Sequence, residues 1–161
     1  MPYVPFYSLF PEIAKRETRS VMLLQPSDAG LPPGDYGFLE FFCDETGCDC
    51  RRVFFYVMSE RRRDVEAVIA YGWESPEFYR RWMGSDDPRD IAGLKGPVLN
   101  LCSPQSAIAP AILDMFQEAL LPDRAYMDRV QRHYGMFRAR IDRSHKQDRF
   151  LARKTTGELS R

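Results

Sequence analysis

The sequence has no long hydrophobic run, no basic secretory leader and no internal repeat. A membrane-spanning helix needs about 20 consecutive apolar residues, and no stretch of this chain approaches that length. The apolar start is interrupted by Pro2, Pro5 and Pro11, unlike the core of a signal peptide. We therefore expect a cytoplasmic protein without membrane contact. In that reducing compartment, clustered cysteines are more often metal ligands than disulfides.

Histidine and the common catalytic motifs are also scarce. His133 and His145 are the two histidines of the chain, which leaves little for acid–base catalysis. The sequence contains no H-E-x-x-H, no G-x-S-x-G, no phosphate loop and no zinc-deaminase signature. These absences favour a protein that is not an enzyme, and a metal-dependent hydrolase is the alternative.

The 161 residues are 44% hydrophobic and 13% aromatic, enough for one domain with a substantial core. The 23 basic and 23 acidic side chains cancel, but 11 of the basic ones and 5 of the acidic ones lie from residue 121 onward. A basic end can indicate an acidic partner, although a solvated charged helix is the simpler interpretation.

Aromatic and β-branched residues between turn formers predict four short strands. These strands are expected at 18–24, 36–43, 52–59 and 66–73. A capping serine, a proline and an acidic residue at 75–77 predict a short helix that ends at Gly84. A second short helix is predicted from 86–88 to about 93–96, and 97–101 is a candidate fifth strand.

Apolar residues at helical spacing predict two longer helices, over 106–120 and 124–143. The expected fold is α+β, with an antiparallel sheet of about four strands, these two helices and one or two short ones. We expect an extended aromatic arm at 1–16, one zinc-binding domain over 17–143 and a charged flexible tail at 144–161.

Cys43, Cys48 and Cys50 form a C-x4-C-x-C cluster between the two clearest predicted strands. A hairpin at this place would bring the three sulfurs together, as a tetrahedral zinc ion requires. Zinc held by these cysteines and by a ligand from the last predicted helix would join the hairpin to that helix. Free thiols or a redox-active pair are the alternatives, and Arg51 and Arg52 would favour thiolates there.

A closed zinc site needs a fourth ligand. The candidates are His133, Cys102, His145, Asp44 and Asp49. His133 lies on the apolar face of the last predicted helix, where a buried imidazole needs either a metal or a hydrogen-bond partner. We predict His133 as the ligand and keep Cys102 as the alternative, although Cys102 is equally consistent with a small buried apolar residue.

The segment LPPGDYGFLEFFCDETGCDCRRV at 31–53, YGWES at 71–75 and Arg-His-Tyr at 132–134 resemble an uncharacterised group of bacterial proteins. The resemblance covers about residues 17–141 and implies no particular activity. Its Arg-His-Tyr is consistent with His133 as a ligand, whereas Cys102 is not part of the shared pattern.

Two further expectations concern function. A non-catalytic module would bind a protein or a nucleic acid, with Arg51, Arg52, Arg61, Arg62 and Arg63 as possible phosphate contacts. The zero net charge and the interleaved acidic residues weigh against nucleic acid. A zinc site that releases its ion on thiol oxidation would instead be a redox sensor.

Overall fold

The computed structural model describes residues 3–158, with side chains described through residue 153. Expectations for residues 1–2 and 159–161 therefore lie outside the described residues. Within this range the chain is α+β, with one antiparallel sheet and six α-helices. The predicted class is confirmed, but the sheet has six strands rather than about four.

The sheet is built around two long central strands. The strands are β1 (Tyr3–Pro5), β2 (Arg19–Leu23), β3 (Gly34–Cys43), β4 (Arg52–Ser59), β5 (Val65–Gly72) and β6 (Val98–Leu99). The spatial order is β1-β3-β4-β5-β6, and β2 also pairs with β3. Thus β1 and β2 share one edge of β3, with β2 beside its start and β1 beside its end. The predicted strands correspond to β2–β5, and the candidate fifth strand to β6.

The helices are α1 (Phe6–Leu9), α2 (Pro11–Glu17), α3 (Pro76–Met83), α4 (Pro88–Lys95), α5 (Ala109–Met115) and α6 (Arg124–Glu158). A π-helical segment, Phe116–Leu120, continues directly from α5. The predicted start of α3 is confirmed, because the Ser75 side chain accepts a hydrogen bond from the Phe78 N–H at 3.2 Å. Gly84 ends this helix with φ of 69°, a conformation that glycine adopts without strain. None of the described helices has the length and apolar character that would cross a bilayer.

The core lies between one face of the sheet and the C-terminal helices. Phe55 of β4 contacts Phe116 with ring centroids 5.0 Å apart, and Phe42 of β3 contacts Phe137 of α6 at 5.5 Å. Alternate residues of β3 are buried, as expected for a strand covered on one face. This packing holds α6 across β3, so helical side chains reach the β3–β4 loop.

Two predicted boundaries are wrong. The segment at 1–16 is not an extended arm, because the described part contains β1, α1 and α2. Pro11 occupies the first turn of α2, where a missing N–H does no harm. The segment at 144–161 is not a separate tail as far as the structure describes it, since α6 continues to Glu158. Residues 146–154 have good helix propensity and contain no glycine or proline.

Candidate metal centre

Cys43, Cys48 and Cys50 come together at the end of the β3–β4 hairpin. Cys43 is the last residue of β3, and the other two lie in the connecting loop 44–51. The three Sγ atoms all lie within 4.8 Å of one another, and all three residues are free cysteines. Cys43 and Cys50 are buried and Cys48 is half-buried. The predicted grouping of the sulfurs is confirmed, and this group could hold a metal ion.

The loop that carries the sulfurs has a defined backbone. Gly47 has φ of 71°, and Arg51 has a left-handed φ of 48° that non-glycine residues rarely adopt. Two buried tyrosines support Arg51: its N–H donates to the Tyr134 hydroxyl at 3.2 Å, and its carbonyl accepts from the Tyr79 hydroxyl at 2.8 Å. These contacts fix the backbone that follows Cys50.

Arg138 of α6 binds the other half of the loop. Its guanidinium donates to the carbonyl of Cys43 at 2.7 Å and to the carbonyl of Glu45 at 2.8 Å. It also donates to Asp142 at 3.0 Å, and that carboxylate accepts from the Gly47 N–H at 3.3 Å. The sequence predicted that zinc would join the hairpin to the last helix. In the structure, the hydrogen bonds of the Arg138 guanidinium connect the two.

The environment of the sulfurs raises the pKa of all three thiols. Burial is the largest cause for Cys43, Cys48 and Cys50. The thiols act on one another in both directions: Cys48 raises the pKa of Cys43, whereas a hydrogen bond with Cys48 lowers that of Cys50. Arg138 also lowers the pKa of Cys43, and Arg52 lowers that of Cys50. A raised pKa keeps a metal-free thiol protonated at neutral pH, and a protonated thiol is a poor nucleophile. A metal ion would have to displace these protons to bind.

His133 lies in a separate buried cluster, and the prediction that it is the fourth ligand is wrong in this structure. Its Nδ1 contacts Glu40 of β3 at 2.7 Å, and its Nε2 contacts Glu17 of α2 at 2.5 Å. Both ring nitrogens are therefore occupied by carboxylates. Consecutive helical residues point about 100° apart, so Tyr134 faces the cysteine loop while His133 faces Glu40.

The pKa of His133 is raised even though burial acts to lower it. The hydrogen bonds and charges of Glu40 and Glu17 outweigh that burial. The pKa of Glu17 is lowered, chiefly by its hydrogen bond with His133 and further by Arg132, whose guanidinium lies 2.6 Å from the same oxygen. With a carboxylate oxygen at each ring nitrogen, this buried site favours the imidazolium form, in which both nitrogens donate.

The other candidates for a fourth ligand also lie elsewhere. Cys102 is exposed in a turn after β6, and His145 is exposed on α6. Asp49 is held by Arg51 at 2.9 Å. Asp44 follows Cys43 directly, and its Oδ1 is buried without a described hydrogen-bond partner. The described part of the chain adds no histidine, carboxylate or further cysteine to the three sulfurs.

Of the two arginines after Cys50 that were expected to contact phosphates, the structure corrects the expectation for Arg52. Arg52 is buried, and its Nε donates to the carbonyl of Leu94 near the end of α4 at 2.8 Å. Arg51 is part-exposed and forms ion pairs with Asp49 and Glu74 at 2.9 and 3.0 Å. Its role as a phosphate contact stays a prediction.

The remaining arginines of that prediction lie in the β4–β5 turn. Arg61, Arg62 and Arg63 are exposed. Arg62 lies 3.5 Å from Glu66 and 3.9 Å from Asp64. The turn therefore presents a small basic surface with acidic residues beside it.

Sequence reasoning missed Glu40 and Glu17 as the partners of His133. The alternation along β3 contained a signal for Glu40, because residues 36, 38, 40 and 42 share the buried face. A carboxylate on that face requires a partner. No local signal identified Glu17, which lies 116 positions from His133.

Comparison of the chain with protein-family models, with curated proteins and with solved structures found no match.

Proposed function

We propose that the protein binds zinc through the thiolates of Cys43, Cys48 and Cys50. The observation that carries the proposal is the grouping of their sulfurs within 4.8 Å, with no disulfide among them. Zinc–sulfur bonds of about 2.3 Å place the sulfurs of a tetrahedral site about 3.8 Å apart. Small side-chain rotations are enough for that contraction. An all-sulfur donor set favours zinc over magnesium or calcium, which bind oxygen.

The proposed role of the ion is structural and local. Arg138 already joins the loop to α6, so zinc would rigidify the loop 44–51 rather than join sheet to helix. Neither His133 nor Cys102 supplies the fourth position. We assign that position to water or to a donor from outside the described residues.

The wider role we propose is a module that binds a macromolecular partner, either a protein or a nucleic acid. The exposed turn with Arg61, Arg62 and Arg63 supports a contact with an acidic partner. Glu66 and Asp64 beside it, and the zero net charge, favour a protein over a nucleic acid. Binding that weakens steeply with added salt would indicate nucleic acid, and salt-insensitive binding would indicate protein.

A metal-dependent hydrolase is the second candidate. Catalytic zinc sites keep three protein ligands and a water, and the three-sulfur group matches that count. Asp44, with its buried unpaired Oδ1, is the candidate general base. Three thiolates, however, donate enough charge to make a zinc-bound water a weak acid.

The zinc or thiol redox sensor is the weaker alternative, because the metal-free thiols have raised pKa values.

The deciding experiment is elemental analysis of protein purified under reducing conditions with zinc present. We expect about one zinc per chain, no stoichiometric zinc in Cys48→Ser, and wild-type content in Cys102→Ser and His145→Ala. Wild-type protein that is folded and metal-free under these conditions would overturn the proposal. Cobalt substitution then tests the fourth position, because an open site changes its visible spectrum when azide is added, whereas a closed site does not.

A further inference from the structure

We propose that the N-terminal segment Tyr3–Glu17, here called the strap, covers the three-cysteine site and is held closed by His133. The inference rests on the proposed zinc site and concerns its regulation. Opening the strap would expose the sulfurs to chelators and thiol reagents, and closing it would retain the ion.

β1 lies beside the end of β3 that carries Cys43. Tyr3 pairs with Cys43 in the antiparallel register of β1 and β3. The Tyr3 ring stacks on Phe54 with centroids 3.9 Å apart, and its hydroxyl accepts a hydrogen bond from Arg52 at 3.4 Å. The start of the strap therefore lies directly beside Cys43, one of the three clustered cysteines.

Two anchors on α6 hold the rest of the strap. The Phe6 ring is buried and stacks on His133 with centroids 4.3 Å apart. Glu17, the last residue of α2, contacts His133 at 2.5 Å and Arg132 at 2.6 Å. Both anchors thus converge on one short stretch of α6, and a change there acts on the whole strap.

The elements of the strap are too short to be stable alone. β1 has three residues, α1 has four and α2 has seven, whereas isolated helices shorter than about 12 residues are marginal in water. β2 begins at Arg19 and pairs with β3 over five residues. Thr18 is consequently a hinge at which the strap can lift while β2–β6 stay paired. Segments of this kind open locally, at a lower free energy than the whole fold.

His133 is suited to hold the strap closed because the two carboxylates that contact it belong to different parts of the fold. Glu40 is on β3 and stays with the sheet, whereas Glu17 leaves with the strap. Opening breaks the two charge-assisted hydrogen bonds of Glu17, with His133 and with Arg132, and leaves the imidazolium paired with Glu40. The buried charge is thus never left without a partner, which keeps the opened state accessible.

The test compares two variants with matched controls in the full-length zinc-loaded protein. Glu17→Gln and Arg132→Gln weaken the contacts that hold the strap closed, while Glu12→Gln on α2 and Arg140→Gln on α6 change exposed residues of the same type. The readout is the rate of zinc transfer to a chromogenic chelator in excess. We expect at least about tenfold faster transfer for Glu17→Gln, the factor for one of its two charge-assisted hydrogen bonds. Arg132→Gln should accelerate it less, and the controls should match wild type.

Hydrogen exchange distinguishes local opening from general destabilisation. In Glu17→Gln the amides paired between β1 and β3, at 41–43, should lose protection, while those between β4 and β5 should not. An unchanged rate of zinc transfer overturns the strap proposal. A loss of protection between β4 and β5 equal to that between β1 and β3 also overturns it. Both outcomes leave the zinc proposal intact, because wild-type zinc content is measured first. Wild-type protein without zinc overturns both.

Discussion

Arg138 binds the backbone of Cys43: its Nη1 donates to the carbonyl oxygen at 2.7 Å, and its Nη2 reaches the carbonyl of Glu45 at 2.8 Å. The side chain is buried. A candidate metal ligand is thus positioned through its main chain by a cation 95 residues later. The contact holds the cysteine loop against α6.

We predict that Arg138→Met destabilises the protein by about 3 kcal/mol, because the buried carbonyl of Cys43 and the part-buried carbonyl of Glu45 lose their donor. Urea unfolding measures the change. Arg140→Met is the control, since Arg140 is exposed on the same helix, and it should change stability by less than about 0.5 kcal/mol. Equal stability of the two variants would mean that water replaces the guanidinium without cost.

His133→Gln should lower stability and leave zinc content unchanged. Removing the imidazolium leaves Glu40 buried without its partner, a loss of about 3 kcal/mol. Elemental analysis beside Cys48→Ser gives the comparison: the histidine variant keeps its zinc and the cysteine variant does not. A His133→Gln protein that folds normally but lacks zinc would restore His133 as the fourth ligand.

Stability should depend on pH through the same cluster. The pKa of His133 is raised in the folded state, so its contribution is complete below about pH 6.5, its unfolded value, and is lost as pH rises through the folded value. The pKa of Glu17 is lowered, so its contribution is present above about pH 4.3 and is lost as pH falls.

The stability difference between wild type and His133→Gln should therefore be largest at about pH 5–6 and shrink toward alkaline pH. Urea unfolding of both proteins across this range measures it. The charged groups around His133 are Glu40, Glu17 and Arg132. A difference that grows with pH would contradict the imidazolium assignment.

The buried Arg52 and the exposed arginines of the β4–β5 turn should differ in their effect on stability. Arg52→Gln should cost about 1–3 kcal/mol, because the carbonyl of Leu94 loses its donor. Replacing Arg61, Arg62 and Arg63 together by glutamine should leave the unfolding midpoint nearly unchanged. If the partner is acidic, the triple variant weakens binding and flattens its dependence on salt. Full affinity in the triple variant would mean that the partner binds a different surface of the protein.

Local patterns predicted most of the sheet and the shorter helices well. The strand from Arg52 to Ser59 and the helix from Pro76 to Met83 have the predicted bounds, because alternation and capping depend on neighbouring residues. β1 was missed because three residues contain too little pattern. Its pairing depends on β3, which lies 36 residues away at the nearest pair, Pro5 and Phe41.

The cysteine part of the candidate site was predicted correctly because it also depends on residues that are close in sequence. A hairpin brings Cys43 and Cys48 together whatever the rest of the fold does. Placing His133 on a buried face was also correct, but a helical projection specifies a face and not the neighbour. The neighbour depends on how α6 crosses β3 and on where α2 docks.

The order of residues along the chain was enough to establish the α+β class, the hairpin and the three-sulfur group, since each follows from contacts a few positions apart. Packing between distant segments determined three other features. It placed His133 between two carboxylates, it placed Arg138 where it connects the hairpin to α6, and it placed the N-terminal segment beside Cys43. Such choices follow from relative rotation and docking of whole elements, and a one-residue step on a helix redirects a side chain by about 100°.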